Sequence, residues 1–541
     1  MSQIVTTFLR AVRVVSKSEN VHNENALFVN DYDQIFLTDS NCLSCFGEGY
    51  IVLDFGKEIA GGIRILSSYL EGQKSKIQIR VRFGESLSEA NADIGHKNAT
   101  NDHAVRDVVV DMPDLSDFVV GDTGFRFVRI DFLTPGKMYL IKNIVAASKL
   151  RDLPYLGTFE CDDPMINRIF DTARYTIHLC SQNMLWDGIK RDRLVWVGDM
   201  EPEVLAATYI FGKQDFIEKS IIEAEKHSPL PSWFGSIPTY SAWYIQIVSD
   251  YYRLTGDIDF VKGRIPYING VIKQFLDSVS PLGDIDYAKA APRFQRGYFI
   301  DWPSSESPNL KEGDRYLLLY VFENALKTFK SFEYDEQSVE ELINRLRKGK
   351  KNEVLQEKQL LSFQVLSNSV DFEKALQILT KNGGEGLSTY MSYFILSAIA
   401  KKDPQKANEI MKEYYGGMLK VGATSFFEDF DLRWIEGSCH IDELPKEGQK
   451  DFHGDHGKYC YKGYRHSLCH GWSSGPIQYI FENIVGLRVL EPGFSKVLIE
   501  PNLSGLSSFK ATIPTPYGQI SIDVSKDEKH IVVPEGVELV R

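Results

Sequence analysis

One short segment, residues 186–203, gathers acids, cations and tryptophans in a pattern that could bind and cleave a sugar. It reads WDGIKRDRLVWVGDMEPE, and its charged and aromatic residues include Trp186, Asp187, Arg191, Asp192, Trp196, Asp199 and Glu201. Carboxylates accept hydrogen bonds from sugar hydroxyls, guanidinium groups donate them, and an indole ring covers the apolar face of a sugar. A buried ion-pair network at a helix start would use the same residue types, so the segment alone leaves both interpretations open.

Three later segments offer a second acid and further aromatic residues. They are YFIDWPSSES with Asp301 and Trp302, GATSFFEDFDLRW with Glu428, and YRHSLCHGWSSGP with His470. Hydrolysis of a glycoside needs one carboxylic acid to protonate the leaving oxygen and one carboxylate to activate water or to attack carbon. A lone acid such as Glu428 is more often a helix cap or half of an ion pair, so its role depends on what the fold places beside it.

The patterns around these segments divide the chain into three parts. Residues 1–155 contain alternating segments such as IQIRVRFGE and FRFVRIDFL, which predict an antiparallel β-sandwich. Residues 156–486 show apolar residues at helical spacing, which suggests an α-barrel of paired helices whose first member starts near Pro164, with Asp162 or Asp163 as its N-cap. Residues 487–541 return to short strands, which predicts a small C-terminal β-domain. All four chemical segments then fall in loops between the predicted helices.

The composition of the chain indicates which classes of partner it can bind. The 541-residue chain has 61 Lys+Arg and 74 Asp+Glu, a net charge of −13, so we expect no nucleic acid partner and a neutral ligand. No apolar run reaches roughly 18 residues, and the first residues lack the basic and apolar regions of a secretory signal, so we expect no membrane association. Seven cysteines, an odd number in so long a chain, suggest reduced thiols and a cytoplasmic location, where a homodimer would be common.

The histidines are concentrated near the end of the helical part. Of the 11 histidines, those between His440 and His470 lie close to Cys439, Cys460 and Cys469. Such a density could hold zinc, but the spacings match no standard zinc motif. We therefore predict no metal and no other cofactor.

The order of these motifs resembles that of glycoside hydrolase family 78, the α-L-rhamnosidases. In that family a strand-rich domain leads into a segment of the form D-x-x-x-R-D-E-R-L-G-W-T-G-D, and residues 187–199 here read DGIKRDRLVWVGD. YIVLDFGKEIAGGIRI resembles the family's N-terminal sandwich, and LGTFECDDPMINRIFDTA resembles the start of its barrel. YFIDW is similar to its G-D-W loop, GATSFFEDF to its G-x-T-T-x-W-E-R-W segment, and HSLCHGWSSGPIQYI to its S-x-N-H segment. The likeness covers most of residues 50–530 in order.

The resemblance implies a fold, an activity and a role for each matching residue. The fold is an N-terminal β-sandwich, a central (α/α)6-barrel catalytic domain and a small C-terminal β-sandwich, at residues 1–155, 156–486 and 487–541. The activity is removal of terminal α-L-rhamnose from a small neutral glycoside or oligosaccharide by an exo-acting, inverting glycosidase. Glu428 matches the family's general base. The predicted sugar-binding residues are Asp187, Arg191, Trp196, Trp302 and His470, to which we add Asp301 beside Trp302. Asp199 matches the second aspartate of the same family segment.

One position departs from the family pattern. The family's acidic Glu stands between RD and RLGW, whereas this chain reads RDRLVW and is one residue short. Counting from Asp187, the Glu is deleted, and counting back from Trp196, Asp192 takes its place. Asp192 is therefore our first candidate for the general acid, followed by Asp199 and then Glu201. The shorter side chain requires the backbone to approach the glycosidic oxygen by about 1.5 Å more, one carbon–carbon bond.

Two other functions stay open on the sequence. An exo-glycosidase on the same barrel could take another deoxy sugar or a uronic sugar, and a cluster of Arg or Lys opposite C5 would favour the uronic sugar. The shortened motif also allows a non-catalytic sugar-binding protein. An inverting enzyme requires about 6.5–9.5 Å between the acid and Glu428, which leaves room for a water molecule.

Overall fold

The structure, a computed structural model, describes residues 2–29, 41–68, 76–291, 297–330, 332–351 and 353–540. Strands come first, helices follow, and strands return after residue 486. The predicted architecture of a β-sandwich, a helical barrel and a second β-domain is confirmed.

The N-terminal sandwich is one connected antiparallel sheet that bends around its own core. Its strands are β1 (Ile4–Arg10), β2 (Arg13–Lys17), β3 (Val21–His22), β4 (Leu43–Phe46), β5 (Gly49–Ser67), β6 (Ile77–Gly84), β7 (Asp107–Met112), β8 (Asp117–Phe132) and β9 (Met138–Arg151). Neighbours pair in the order β3-β4-β9-β5-β8-β6-β7, with β1 on β9 and β2 on β5. Strand β5 changes register against β8 between Asp54 and Ile59, and its two halves pair with β2 and with β9. Two short helices, α1 (Ala26–Val29) and α2 (Leu87–Asn91), lie among the strands.

Strand β6 shows why the sequence pattern predicts these strands. Ile77, Ile79 and Val81 are buried, whereas Gln78 is exposed and Arg80 is half-buried. Successive side chains of a strand point to opposite faces, so a period of two places the apolar set in the core.

The helical part is a barrel of two concentric rings. Its helices are α3 (Pro164–Cys180), α4 (Met200–Phe211), α5 (Asp215–His227), α6 (Pro238–Thr255), α7 (Ile258–Ser278), α8 (Leu310–Thr328), α9 (Glu336–Lys348), α10 (Lys358–Leu366), α11 (Phe372–Thr380), α12 (Ser392–Ala400), α13 (Pro404–Lys420) and α14 (Pro476–Tyr479). The even-numbered helices from α4 to α14 form a closed inner ring, in which each packs on the next and α14 returns to α4. Every residue of inner helix α4 is buried, whereas outer helix α9 buries one apolar face. A helix that is apolar all round belongs inside and an amphipathic one belongs at the surface.

Helix α3 starts as the sequence predicts. The Asp163 side chain accepts hydrogen bonds from the backbone N–H groups of Met165 and Ile166, and Pro164 occupies the first turn. Asp163, rather than Asp162, is therefore the N-cap that opens the barrel.

The C-terminal β-domain contains two small sheets. Its strands are β10 (Thr158–Cys161), β11 (Leu487–Glu491), β12 (Lys496–Ile499), β13 (Ser508–Thr515), β14 (Gly518–Ser525), β15 (Lys529–Val532) and β16 (Glu538–Val540). One sheet has the order β10-β13-β14-β15 and the other the order β11-β12-β16, so strand β10, which precedes the barrel, joins the C-terminal sheet. The division at residues 155/156 and 486/487 stays a prediction. Among the described residues, no helix is both long and apolar enough to cross a bilayer.

Candidate active site

A cavity of about 230 Å³ lies at one end of the barrel. Most of its walls come from loops that lead into the N-terminal ends of inner helices α4, α6, α8 and α14. The lining residues are Asp187, Arg191, Asp192, Trp196, Asp199, Ile237, Tyr240, Trp302, Glu428, Cys460, Tyr461, Arg465, His470 and Trp472. Because the inner helices run parallel to one another, loops that are distant in sequence meet at the same end of the ring.

The fold brings most of the predicted site residues to this cavity. Those that line it are Asp187, Arg191, Asp192, Trp196, Asp199, Trp302, Glu428 and His470. Two predicted residues, Glu201 and Asp301, are not part of its lining. Ile237 and Tyr240 also line the cavity, although no sequence motif predicts it. They lie at the start of α6 and belong to no charged or tryptophan-rich segment.

Glu201 does not reach the cavity because helix α4 turns its side chain away. Asp199 immediately precedes the helix, whereas Glu201 lies inside its first turn and is buried. Burial and the nearby Asp250 carboxyl raise the pKa of Glu201 well above its ordinary value. Glu201 therefore lies beside Asp250 in the interior of the barrel. No described contact joins it to Asp192 or Glu428.

Asp301 supports the loop beneath Trp302 instead of lining the cavity. Its Oδ1 accepts a hydrogen bond from the Ser304 backbone N–H at 3.1 Å, and its Oδ2 accepts one from the Ser388 hydroxyl at 2.7 Å. Both carboxylate oxygens are thus engaged by protein groups. The predicted contact between Asp301 and a substrate is not supported by this geometry.

One guanidinium group connects the two leading catalytic candidates. Arg191 Nη2 donates to Glu428 Oε1, and Arg191 Nη1 donates to Asp192 Oδ1 at 3.2 Å. The Ser467 backbone N–H donates to Glu428 Oε2 at 3.1 Å. Burial raises the pKa of Glu428, and the Arg191 charge and the Ser467 N–H oppose that rise. Glu428 and Asp192 therefore face one cavity from either side of Arg191.

The two carboxyl groups differ in their access to solvent. The Glu428 side chain is 3% exposed, whereas the Asp192 side chain is 18% exposed. Glu428 lies in the floor of the cavity and Asp192 lies nearer its mouth.

A histidine stands among the buried carboxyl groups. His470 Nε2 lies 3.8 Å from Asp187 Oδ2, 3.9 Å from Asp199 Oδ2 and 3.7 Å from Glu428 Oε1. Burial lowers the pKa of His470 well below its ordinary value, and burial together with neighbouring carboxyl groups raises the pKa of Asp187 and of Asp199 well above theirs. The direction of these pKa shifts favours the uncharged form of all three groups, and an uncharged imidazole or carboxylic acid can both donate and accept hydrogen bonds with a sugar hydroxyl.

Aromatic rings form the rest of the wall. The Trp472 ring lies 4.2 Å from the His470 ring between centroids, and Trp472 Nε1 donates to the Glu428 carbonyl at 3.0 Å. Trp302 packs edge-on against Tyr461 at 6.1 Å. These contacts hold flat apolar surfaces next to the polar groups, the combination that the two faces of a pyranose require.

A second, sealed group of charges lies directly behind the cavity. Lys190 Nζ lies 2.9 Å from Glu85 Oε2 and 3.2 Å from Glu89 Oε1, and it donates to the carbonyls of Tyr464 and His466 at 2.9 and 2.6 Å. Glu85 and Glu89 come from the end of β6 and from α2, so this cluster joins the N-terminal sandwich to the barrel. Lys190, Glu85 and Glu89 together form the Lys190 cluster.

Two family models match separate parts of the chain. Residues 154–321 match the bacterial alpha-L-rhamnosidase six-hairpin glycosidase domain, and residues 486–539 match the bacterial alpha-L-rhamnosidase C-terminal domain. A curated alpha-L-rhamnosidase from Alteromonas sp. (strain LOR) is 21% identical over 532 residues, which cover 87% of this chain and 53% of the relative. The chain is therefore similar to bacterial α-L-rhamnosidases in its barrel, in its C-terminal domain and over most of its length. It spans about half the length of the curated relatives that it matches.

Solved structures of rhamnosidases share the fold of this chain. A GH78 family rhamnosidase of Bacillus sp. GL1 has a TM-score of 0.70 at 17% identity, covering 93% of this chain and 55% of that one. A rhamnosidase from Klebsiella oxytoca, solved with rhamnose bound, has a TM-score of 0.66 at 18% identity, covering 88% of this chain and 96% of that one. The matches to rhamnosidases confirm the resemblance noted in the sequence, and these two structures confirm the fold.

The shortened rhamnosidase motif forms a tight, left-handed turn. Asp192 and Arg193 both have φ of 57°. The Asp187 N–H donates to the Leu194 carbonyl at 3.1 Å, and the Leu194 N–H donates back to Asp187 Oδ1 at 2.9 Å, which closes the turn. Positive φ costs free energy in residues other than glycine, and such residues concentrate at functional sites. The turn brings Asp192 to the cavity although the segment is one residue short of the family pattern.

Among the described residues, two groups of side chains have the spacing of a metal site. They are Asp187, Asp199 and His470 in the cavity, and Glu85, Glu89 and His453 behind it. The Lys190 ammonium already pairs with both carboxylates of the second group. The prediction that no metal is needed stays a prediction.

Proposed function

We propose that this chain is an exo-acting α-L-rhamnosidase that removes terminal α-L-rhamnose from a neutral glycoside by an inverting single displacement. The observation that carries the proposal is the placement of Asp192 and Glu428 on either side of Arg191 at one cavity. The similarity to bacterial α-L-rhamnosidases and the rhamnose bound to one of the similar structures support the choice of sugar. Because the chain covers only part of its curated relatives, its activity is inferred from this site.

In the proposed reaction Glu428 is the general base and Asp192 is the general acid. Glu428 takes a proton from a water that attacks C1, while Asp192 gives a proton to the glycosidic oxygen as its bond to C1 breaks. The position of Glu428 in the floor and of Asp192 near the mouth fits this division, because the leaving aglycone must face solvent. Asp199 stays the second candidate for the acid, since it lines the cavity and burial raises its pKa, which favours the protonated form that an acid needs.

The size of the cavity favours exo action. Drug-sized ligands occupy pockets of about 300–1,000 Å³, whereas this cavity measures about 230 Å³. One monosaccharide is the unit that such a space holds, and the remaining substrate would extend past Asp192 into solvent.

The charges favour a neutral sugar over a uronic sugar. Among the described residues two arginines line the cavity, and both are already paired, Arg191 with Glu428 and Asp192, and Arg465 with Asp102 at 2.9 Å. A uronate would need a cation opposite its own carboxylate, and it would also face the neighbouring acids. Apolar rings such as Trp302 and Tyr461 suit the C5 methyl group of rhamnose.

Release of nitrophenol from nitrophenyl α-L-rhamnoside tests the proposal. We expect turnover with this substrate and much less with the corresponding α-L-fucoside or β-D-glucuronide. Glu428→Gln should abolish the activity, whereas Glu201→Gln, the same change in a buried acid outside the cavity, should leave it. Equal loss in both variants would remove Glu428 from the mechanism.

A non-catalytic sugar-binding protein is the alternative from another class, and the shortened motif is the feature that favours it. Calorimetric binding of L-rhamnose without any release of nitrophenol would support that alternative. Turnover with the wild-type chain would exclude it.

We further propose a cytoplasmic location, because all seven cysteines are free thiols and one of them, Cys460, lines the cavity. The homodimer stays a prediction that light scattering would test.

A further inference from the structure

The candidate acid is contacted by a residue from outside the barrel. His103 Nδ1 lies 3.1 Å from Asp192 Oδ1, the same oxygen to which Arg191 Nη1 donates at 3.2 Å. His103 belongs to the loop of the N-terminal sandwich that leads into β7. Within the described part of the chain, Asp192 Oδ2 has no hydrogen-bond partner, so this second oxygen is the one available to a substrate.

The other side of the imidazole faces a second carboxylate. His103 Nε2 lies 3.6 Å from Asp102 Oδ2, and Asp102 is paired with Arg465 at 2.9 Å. Arg465 itself lines the catalytic cavity. The ring therefore lies between an acid of the sandwich and an acid of the barrel, and the Asp102–Arg465 pair ties its loop to the cavity wall.

The backbone on both sides of this contact is strained. His103 has φ of 66° and Asp192 has φ of 57°. Backbone of this kind is retained where the surrounding structure enforces it, and it is most frequent at sites of function. Here both strained residues meet each other across the interface between the sandwich and the barrel.

We propose that His103 is the positioning residue of the general acid. With Nδ1 protonated, the ring donates to Asp192 Oδ1 and directs Oδ2, which carries the transferable proton, towards the glycosidic oxygen. That proton passes from Oδ2 to the leaving oxygen as the C1–O bond breaks, while Glu428 accepts a proton from the attacking water. Hydrogen bonds at a catalytic site are often imperfectly aligned before the substrate binds, and His103 Nδ1 already lies 3.1 Å from Asp192 Oδ1.

This role explains how a short acid can work in the family motif. An aspartate has fewer rotatable bonds than a glutamate and a shorter reach, so its carboxyl group must be held at one orientation. Arg191 and His103 approach the same oxygen from two sides, and together they fix that orientation. The inference rests on the proposed function, because it assigns His103 to the acid step of that reaction.

The test compares substrates whose leaving groups need different amounts of acid assistance. Methyl α-L-rhamnoside has a poor leaving group that requires a proton, whereas 2,4-dinitrophenyl α-L-rhamnoside has one that leaves without it. The variants are His103→Gly, which removes the ring at a position where glycine tolerates the positive φ, and His103→Asn, whose amide nitrogen can replace Nδ1 as a donor. His103 is 30% exposed, so removing its side chain leaves no sealed cavity.

We expect His103→Gly to lower kcat/KM for the methyl glycoside by about ten- to a hundredfold, the range of one lost charge-assisted hydrogen bond, and to change the dinitrophenyl value less than twofold. His103→Asn should restore most of the loss. An equal decrease with both substrates would indicate a structural role, and no decrease in His103→Gly would also overturn the inference.

Asp192→Asn separates this inference from the proposed function. If Asp192→Asn shows the leaving-group dependence and His103→Gly does not, only the role of His103 is wrong. If Asp192→Asn itself shows no such dependence, Asp192 is not the general acid and the proposed function fails in that part.

Discussion

Lys190 and Arg191 are neighbours in the chain, and both side chains end among carboxylates, but their surroundings differ. The Lys190 ammonium is enclosed by Glu85, Glu89 and two backbone carbonyls. The Arg191 guanidinium pairs with Glu428 and Asp192 at the wall of an open cavity. A cluster of charges therefore does not by itself identify a chemical site. Space for a ligand beside partly engaged carboxylates is what distinguishes the cavity from the Lys190 cluster.

The two regions are linked through Ser467. Its hydroxyl donates to Glu85 Oε1 at 3.1 Å, and its backbone N–H donates to Glu428 Oε2 at 3.1 Å. The Leu468 N–H also donates to Glu85 Oε2 at 2.5 Å. The Lys190 cluster thus fixes the segment that orients the candidate base, and its contribution to activity should pass through stability and positioning.

The largest loss of activity should come from removing the Glu428 carboxylate of the cavity. Replacing Glu428 with Gln keeps the shape of the side chain but removes the base, so we expect turnover of nitrophenyl α-L-rhamnoside to fall by about 10³-fold. The thermal midpoint should stay close to that of the wild type, because a neutral amide is less costly to bury than a carboxylate. Turnover within tenfold of the wild type would contradict the assignment.

Parallel changes at the two neighbouring cations should then separate stability from chemistry. Lys190→Met leaves Glu85 and Glu89 buried without their cation, and we expect a loss of about 3–5 kcal/mol in the free energy of unfolding. Arg191→Met should reduce kcat/KM strongly and the free energy of unfolding less, because solvent in the cavity can hydrate the freed carboxylates. Denaturant titration and kinetics on both variants measure the two effects. The comparison fails if both variants lose the same stability.

The smallest expected effect is a pH dependence of the folding stability, which comes from the Glu85 carboxyl group. Burial, partly offset by Lys190, raises the pKa of Glu85 to about 7, whereas an unfolded glutamate titrates near 4.3. Because the folded state holds this proton more tightly, the contribution of Glu85 to stability is complete below about pH 4.3 and is lost as the pH rises through about 7. Glu85→Gln lacks this titration.

Thermal unfolding of wild type and Glu85→Gln at several pH values measures this contribution. The midpoint of Glu85→Gln should improve relative to the wild type between pH 4.5 and pH 8. A constant difference across that range would show that Glu85 is ionised throughout.

The sequence predicts the catalytic end of the barrel better than it predicts the exact set of residues there. Glu428 and Asp192 stand in unusual segments, and the order of those segments indicates the fold that joins them. The cavity lining does not support the prediction that Glu201 reaches the site. A helix begins between Asp199 and Glu201, and the spacing of the two acids in the sequence does not reveal it. Asp301 shares its segment with Trp302, yet only Trp302 lines the cavity.

Contacts between distant parts of the chain account for what the sequence could not give. His103 lies in a loop without any motif, and its approach to Asp192 depends on how the sandwich docks on the barrel. Strand β10 joins the C-terminal sheet by pairing with β13, and nothing in its four residues indicates that partner. Such pairings are set by tertiary packing, which periodicity and local propensity do not encode.

The anomeric form of the first product tests the central claim most directly. Hydrolysis of nitrophenyl α-L-rhamnoside followed by proton NMR from the first minutes shows which anomer is released before mutarotation. If water activated by Glu428 attacks C1 opposite the bond that Asp192 protonates, the first product is β-L-rhamnose. Initial release of α-L-rhamnose would require a covalent intermediate and would contradict the account.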